Sequence, residues 1–212
     1  ALCHKAYAEF GQVDVLMNNA GIGASTGCWS DRDNWLQVLQ VNLWGVINGV
    51  QAFTAAMLEQ QTPGVIINTG SKQGITCPPG NPAYNVSKAG IKTFTEALQH
   101  ELRNTDNCQL SAHLLVPGFT YTGMIAKFMP QQPPAAWSPA QVIDFLLKSG
   151  NAGDFYLLCA DNDIDRAADN KRMAWAMGDL IHNRPPLSRW HVEFAQAFES
   201  YQHAASPPTT DS

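Results

Sequence analysis

Val13-Asp14-Val15-Leu16-Met17-Asn18-Asn19-Ala20-Gly21 decides the fold. Four apolar residues crowd five positions, and hydrophobicity then stops at two asparagines and a small pair. A short apolar run closed by turn residues reads as a buried strand entering a tight turn. The same grammar recurs downstream. Val65-Ile66-Ile67 runs into Asn68-Thr69-Gly70-Ser71, Leu110 to Val116 runs into Pro117-Gly118, and Phe155 to Leu158 makes a fourth apolar run. Strands that alternate with helical stretches predict βαβ units, hence an α/β fold with a parallel sheet, flanking helices and right-handed crossovers.

The helical stretches are legible from spacing and stop signals. Leu2, Ala6 and Phe10 mark a first helix that Gly11 ends. A long helix is expected over 31–60, with Ser30 or Asp31 as its N-cap and Trp35, Leu36, Leu39, Leu43, Val46, Ile47 and Val50 on its buried side. Asn81 caps another that carries Pro82 in its first turn and runs to about Asn104. Residues 119–139 read as irregular, Ser138-Pro139 opens a helix to Lys148, and two helical pieces split by Pro185-Pro186 follow. One domain is expected over 1–205, with a disordered Pro/Thr/Ser-rich tail over 206–212.

Composition narrows the function classes. The 212 residues carry 13 Lys+Arg against 18 Asp+Glu, a net charge of −5, so the basic excess of a nucleic-acid binder is absent. No uninterrupted apolar run approaches the roughly 18 residues of a membrane span; Leu43 to Val50 comes closest, broken by Gly45, Asn48 and Gly49. The five cysteines are odd in number, widely spaced and without C-x-x-C, which fits a reducing, cytoplasmic setting rather than a disulfide framework or zinc site. The six histidines form no H-E-x-x-H, so no metal is expected. Gly70-Ser71-Lys72 is not a nucleophile elbow, which needs a residue between its first glycine and the serine.

The chemistry centres on Tyr84-Asn85-Val86-Ser87-Lys88. Residues i and i+4 share one helix face, so the phenol and the ammonium emerge together. A free tyrosine, with a pKa of about 10, is a poor acid or base at neutral pH. A lysine cation and a helix N-terminus both favour the phenolate. Such a tyrosine can exchange a proton with an alcohol oxygen. Y-x-x-x-K alone is a weak signal, but four other elements accompany it in order. They are Asn18-Asn19-Ala20-Gly21 after a strand, Asn42 in its helix, Ser71 thirteen residues before Tyr84, and Pro117-Gly118 followed by Thr122.

Together these residues resemble the short-chain dehydrogenase/reductase family, over roughly residues 1–160. The resemblance implies a Rossmann-like sheet and an NAD(P)-dependent oxidoreductase that interconverts a carbonyl and an alcohol. It assigns Tyr84 as proton donor and acceptor and Lys88 as the group that lowers the Tyr84 pKa and binds the nicotinamide ribose. It makes Ser71 the partner of the substrate oxygen and Asn42 the holder of a water that links Lys88 to solvent. Asn42 also suits a kink in its long helix. Asn18, Asn19, Ala20 and Gly21 would line the cofactor, with Pro117, Gly118 and Thr122 around the nicotinamide. Phe119, Tyr121, Met124, Ile125, Phe128 and Met129 would form an apolar substrate lid over 119–139. The 31–60 and 81–104 helices would pair subunits into a homodimer or homotetramer.

The sequence departs from that pattern in one respect. The family's Gly-rich turn, which cradles the pyrophosphate at a helix N-terminus, does not occur among these residues; Gly21-Ile22-Gly23 is not followed directly by a helix. The expectation is an N-terminally truncated member that lacks the first βαβ units, with Val13 to Met17 left as an exposed apolar edge and cofactor binding that is weak or absent. NAD and NADP are not distinguished. The rival expectation is a catalytically inactive remnant that serves as an assembly partner.

Overall fold

The computed structural model describes residues 1–204; the tail expected over 206–212 lies outside them. The elements follow the expected order. They are α1 (Leu2–Phe10), β1 (Val15–Asn18), α2 (Arg32–Leu39), a π turn (Gln40–Trp44), α3 (Gly45–Glu59), β2 (Gly64–Thr69), α4 (Gln73–Thr76), α5 (Pro82–Arg103), β3 (Leu110–Val116), α6 (Gly123–Ala126), α7 (Pro139–Asn151), β4 (Tyr156–Leu158), α8 (Arg166–Ile181), 3-10 turns over Ser188–Trp190 and Val192–Phe194, and α9 (Ala195–His203). Gly11 ends α1 in the left-handed conformation, φ 74°, with its amide bonded to the Tyr7 carbonyl. Ser138 and Gln141 close a capping box at the start of α7.

The four strands are all parallel and lie in the order β1-β2-β3-β4, with Val15 opposite Val65, Ile66 opposite Ala112 and Leu115 opposite Leu157. Alternation along the strands sends two sets of residues to two faces. On one face Ile66, Leu110, Ala112, Leu114, Val116 and Leu158 pack against Val46, Val50, Phe53 and Met57 of α3 and Ile91, Leu98 and Leu102 of α5. On the other, Ile67, Leu115 and Leu157 meet Val142 and Leu146 of α7. The two flanking helix layers thus bury both sides of the three later strands.

Three expectations need correction. The long helix is interrupted by the π turn, and its buried line runs Val38, Asn42, Val46, Val50, Phe53 and Met57. Leu36 lies about half a turn from Val38 and is 55% exposed. Right-handed crossovers cannot hold throughout. The sheet steps on in one direction, yet α7 crosses the face opposite to α3 and α5, so the third crossover has the opposite hand to the first two. The 119–139 segment supplies the length for this, passing beyond the strand ends before α7 begins. Finally, Arg32–Glu59 is 28 residues long, with a mean hydropathy of 1.2 over its most apolar window, enough by length and composition to cross a membrane. A helix that covers a sheet passes the same test, and here its buried line is the core contact of β2 and β3.

β1 is an edge strand in this sheet. Leu16 packs against the α3 and α5 side, but Val15 and Met17 point to the α7 side and are 57% and 37% exposed. α7 covers β2 to β4 and does not reach them.

Candidate active site

The start of α5 is fixed by a short polar relay. The Asn81 side chain accepts from the Tyr84 amide at 3.4 Å and from the Thr26 hydroxyl at 3.0 Å, and Thr26 in turn accepts from the Ala83 amide. Tyr84 therefore leaves the first turn of the helix at a set angle. One turn on, Lys88 is only 4% exposed. Its ammonium lies 5.6 Å from the centre of the Tyr84 ring and donates to the Thr69 carbonyl at 2.8 Å. An ammonium has three donors, so Thr69 leaves two for the cleft that Lys88 lines.

Ser71 follows β2 directly. Gly70 donates to the Leu115 carbonyl at 2.7 Å, which anchors this turn to β3, and the Ser71 hydroxyl accepts from the Gln73 amide at 3.2 Å. α4 then crosses α5 at Gly74, where a Cβ would come within 2.6 Å of the Lys88 carbonyl oxygen. Only a glycine lets the serine turn lie this close to the Tyr84–Lys88 helix. Burial pushes the Tyr84 phenol above its ordinary pKa, and the neighbouring Ser71 hydroxyl pulls it back. The direction is therefore opposite to the lowering expected from Lys88, and the group that does lower the phenol is Ser71. Burial lowers Lys88 to about 8, so the ammonium remains mostly charged at neutral pH and gives up its proton readily above it.

Asn42 sits on the π turn with no exposure. Its amide accepts from the Ile22 N–H at 2.8 Å, donates to the Ile22 carbonyl at 2.9 Å and reaches the Ser87 hydroxyl at 3.3 Å. The side chain thereby clamps the strand-end turn to α5, and π turns are frequent at such places. Asn19, Ala20 and Gly21 line the cleft on that turn, beside Lys88. Asn18 does not line it. Its side chain faces α3, donates to Asn68 at 2.8 Å, and Asn68 donates onward to Thr95. A Cβ at Gly49 would overlap the Asn18 amide. The reason is parity: Asn18 shares a strand face with Leu16, which packs on the core.

Pro117, Gly118 and Thr122 close the cleft from the β3 side. Thr122 begins α6 without a side-chain capping bond, so its hydroxyl is not spent on the helix. Of the expected lid residues, Phe119, Met124 and Ile125 line the cleft together with Val142 and Ile143 of α7, while Phe128 is 82% exposed. The cleft holds about 910 Å³, within the range of small-molecule and cofactor sites. Tyr84, Lys88 and Ser71 converge on it with Asn19, Ala20, Gly21, Pro117, Gly118 and Thr122; Asn18 and Asn42 stand behind it. No cluster of three or more metal-ligating side chains occurs among the described residues.

Sequence reasoning missed the Asn68–Thr95 relay, the close crossing at Gly74 and the contribution of Met17 and α7. Strand parity could have found the first, since Asn18 and Asn68 are in register. Helix crossings leave no comparable mark in a single sequence.

A family model described as short chain dehydrogenase matches residues 1–133. The chain is 35% identical over 127 residues to a 3alpha-hydroxysteroid dehydrogenase of Mediterraneibacter gnavus, covering 59% of this chain and 49% of that protein. It is 32% identical over 122 residues to a CLA biosynthesis dehydrogenase/reductase of Lactiplantibacillus plantarum, covering 57% and 42%. A solved short chain dehydrogenase/reductase of Burkholderia phymatum, in complex with NAD, superposes with a TM-score of 0.75 at 29% identity over 87% of this chain and 72% of that one. The chain spans about half the length of the curated relatives it matches.

Proposed function

The chain belongs to the short-chain dehydrogenase family, and on that premise we propose that it carries the proton-transfer half of an NAD(P)-dependent oxidoreductase that interconverts a carbonyl and an alcohol. One observation carries the reading: Tyr84, Ser71 and the buried Lys88 share the wall of a single cleft at the carboxyl ends of the strands, where ligands bind in such sheets.

The residues present suit a nicotinamide coenzyme. The backbone at Ala20, Gly21 and Gly118 forms a bare wall, and the two donors Lys88 has left face the same space as the uncapped Thr122 hydroxyl. The coenzyme, when bound, supplies or removes a hydride. Tyr84 exchanges the proton at the substrate oxygen. Ser71 donates to that oxygen and orients it, and its hydroxyl offsets the desolvation of the phenol. Lys88 holds a positive charge beside the ring that stabilises a developing phenolate. Asn42 acts behind them, holding the strand-end turn against α5 through Ile22. The apolar side of the cleft, from Phe119, Met124, Ile125 and Ile143, favours a hydrophobic or medium-sized substrate.

Leu36, Trp44 and Val86 are 55%, 49% and 48% exposed on the two long helices, and we assign these faces to contacts between copies of the chain. All five cysteines are unpaired, which suits a reducing cytoplasm.

The test is fluorescence titration with NADH and with NADPH, beside Tyr84→Phe. Saturable binding of either coenzyme, retained in Tyr84→Phe while turnover falls by about a hundredfold or more, is the expected result. No binding by a folded chain overturns the reading for these 212 residues and favours the assembly-partner alternative.

A further inference from the structure

A second cavity, of about 430 Å³, lies between the α4 turn at Ile75 and Thr76, helix α8 and the 3-10 turn Ser188–Trp190, and it shares no lining residue with the large cleft. Its frame is built and satisfied. Asp179 accepts from Arg184 at 2.9 Å and from the Ser188 amide at 3.0 Å, Ser188 accepts from the Trp175 indole at 2.8 Å, and Arg184 also donates to the Trp175 carbonyl. Arg184 is thereby neutralised and immobilised.

Arg172 and Arg189 are not. Both line this cavity and a smaller one that adjoins it. Among the described residues, no hydrogen bond from either guanidinium to the protein forms. The Arg172 Nε is fully buried without a partner, and its one carboxylate neighbour, Asp169, stands 3.9 Å away. Asp169 is already engaged by Lys72 at 2.5 Å, and Lys72 also reaches Asp161 at 3.3 Å. Among the described residues three cations, Lys72, Arg172 and Arg189, therefore face two carboxylates, Asp161 and Asp169, and one positive charge is unmatched. Arg189 stacks 4.8 Å from the Trp190 ring and 5.1 Å from Phe198. Stacking uses the flat faces of a guanidinium and leaves its in-plane donors free. Burial above all, and then the repulsion of Arg172, push the Arg189 pKa down, and Asp169 only partly pulls it back. A planar oxyanion accepts from such donors in parallel pairs. Around them, Leu180, Leu187 and Trp190 form an exposed apolar rim.

We propose that this cavity is a second binding site, for a small amphipathic anion whose carboxylate or phosphate is held by Arg172 and Arg189 and whose apolar body rests on Leu180, Leu187 and Trp190. Because Trp175 and Trp190 line the site, occupancy reports through indole fluorescence.

The experiment titrates the chain with benzoate, with phenyl phosphate and with benzyl alcohol as the neutral counterpart. Saturable quenching by at least one of the two anions, and none by the alcohol, is expected; which anion binds more tightly tells a carboxylate site from a phosphate site. Arg172→Gln and Arg189→Gln each weaken that binding about tenfold or more, and Tyr84→Phe leaves it unchanged. No saturation by either anion at millimolar concentration, equal binding of the alcohol, full affinity in both glutamine variants, or loss of binding in Tyr84→Phe overturns the proposal. If the glutamine variants do not fold, protection of Arg172 and Arg189 from phenylglyoxal by the anion, read by mass spectrometry, decides instead, and absence of protection overturns it.

Discussion

The two walls of the large cleft are built by opposite means. One consists of element ends: Ser71 leaves β2, Tyr84 and Lys88 leave the first turns of α5, and Asn42 locks the turn after β1 from its π turn. Each is fixed by a helix crossing or a buried hydrogen bond. The other is the 119–139 segment, tied at its ends where Trp137 donates to the Phe119 carbonyl and Tyr121 donates to the Trp137 carbonyl, both at 2.8 Å. Between those ties Phe128 and Met129 are 82% and 47% exposed. Groups that must hold a geometry sit on regular elements, and the apolar surface proposed to meet a substrate sits on a loop that can change without disturbing them.

Three substitutions sharpen that contrast. Gly74→Val should have the largest effect, because its side chain would meet the α5 backbone at Lys88 and Ala89 rather than a yielding side chain. A loss of about 3 kcal/mol, seen as a lower denaturant midpoint together with lost activity, is the expected result; an unchanged midpoint would break the rigid-wall account. Lys88→Met comes next and depends on pH. The Lys88 pKa is lowered in the folded protein to about 8 from 10.5. Between those values the unfolded chain holds the proton and the folded chain does not, so the native protein gains stability as pH rises, by up to roughly 1.4 kcal/mol per unit. Below pH 8 both states are protonated and the cost of burying the ammonium is felt in full. Replacing Lys88 with methionine should therefore stabilise more at pH 7 than at pH 10, and a pH-independent difference in chemical denaturation would contradict the burial of its charge. Phe128→Ser should have the smallest effect, within about 0.5 kcal/mol, because the ring is mostly in solvent; a larger loss in the same assay would show that the loop wall is packed after all.

The arginine-lined cavity extends the contrast to a third region. Its frame, through Asp179, Arg184, Trp175 and Ser188, is as well satisfied as the helix-built wall. Among the described residues its two remaining guanidiniums form no hydrogen bond to the protein, and on that difference the proposed anion site rests.

The sequence by itself determined the strands, the helix starts and most of the residues that line the large cleft. Short apolar runs closed by turn residues mark the strands, buried in β2 and β3 but half exposed in the edge strand β1, and Asn81 with Pro82, or Ser138 with Pro139, mark helix starts, where the cap side chain bonds an amide within a few residues. Tyr84 and Lys88 were legible as a pair because helical spacing alone puts them on one face. The tertiary structure alone decided what depends on contacts between distant segments. It turned Asn18 away from the cleft toward Asn68 and Gly49, set α7 on the far face of the sheet, and drew Arg172 and Arg189 together across seventeen residues of chain. Burial also reversed the direction expected for the Tyr84 pKa. Desolvation is a property of everything packed around a group, and no local pattern of residues encodes it.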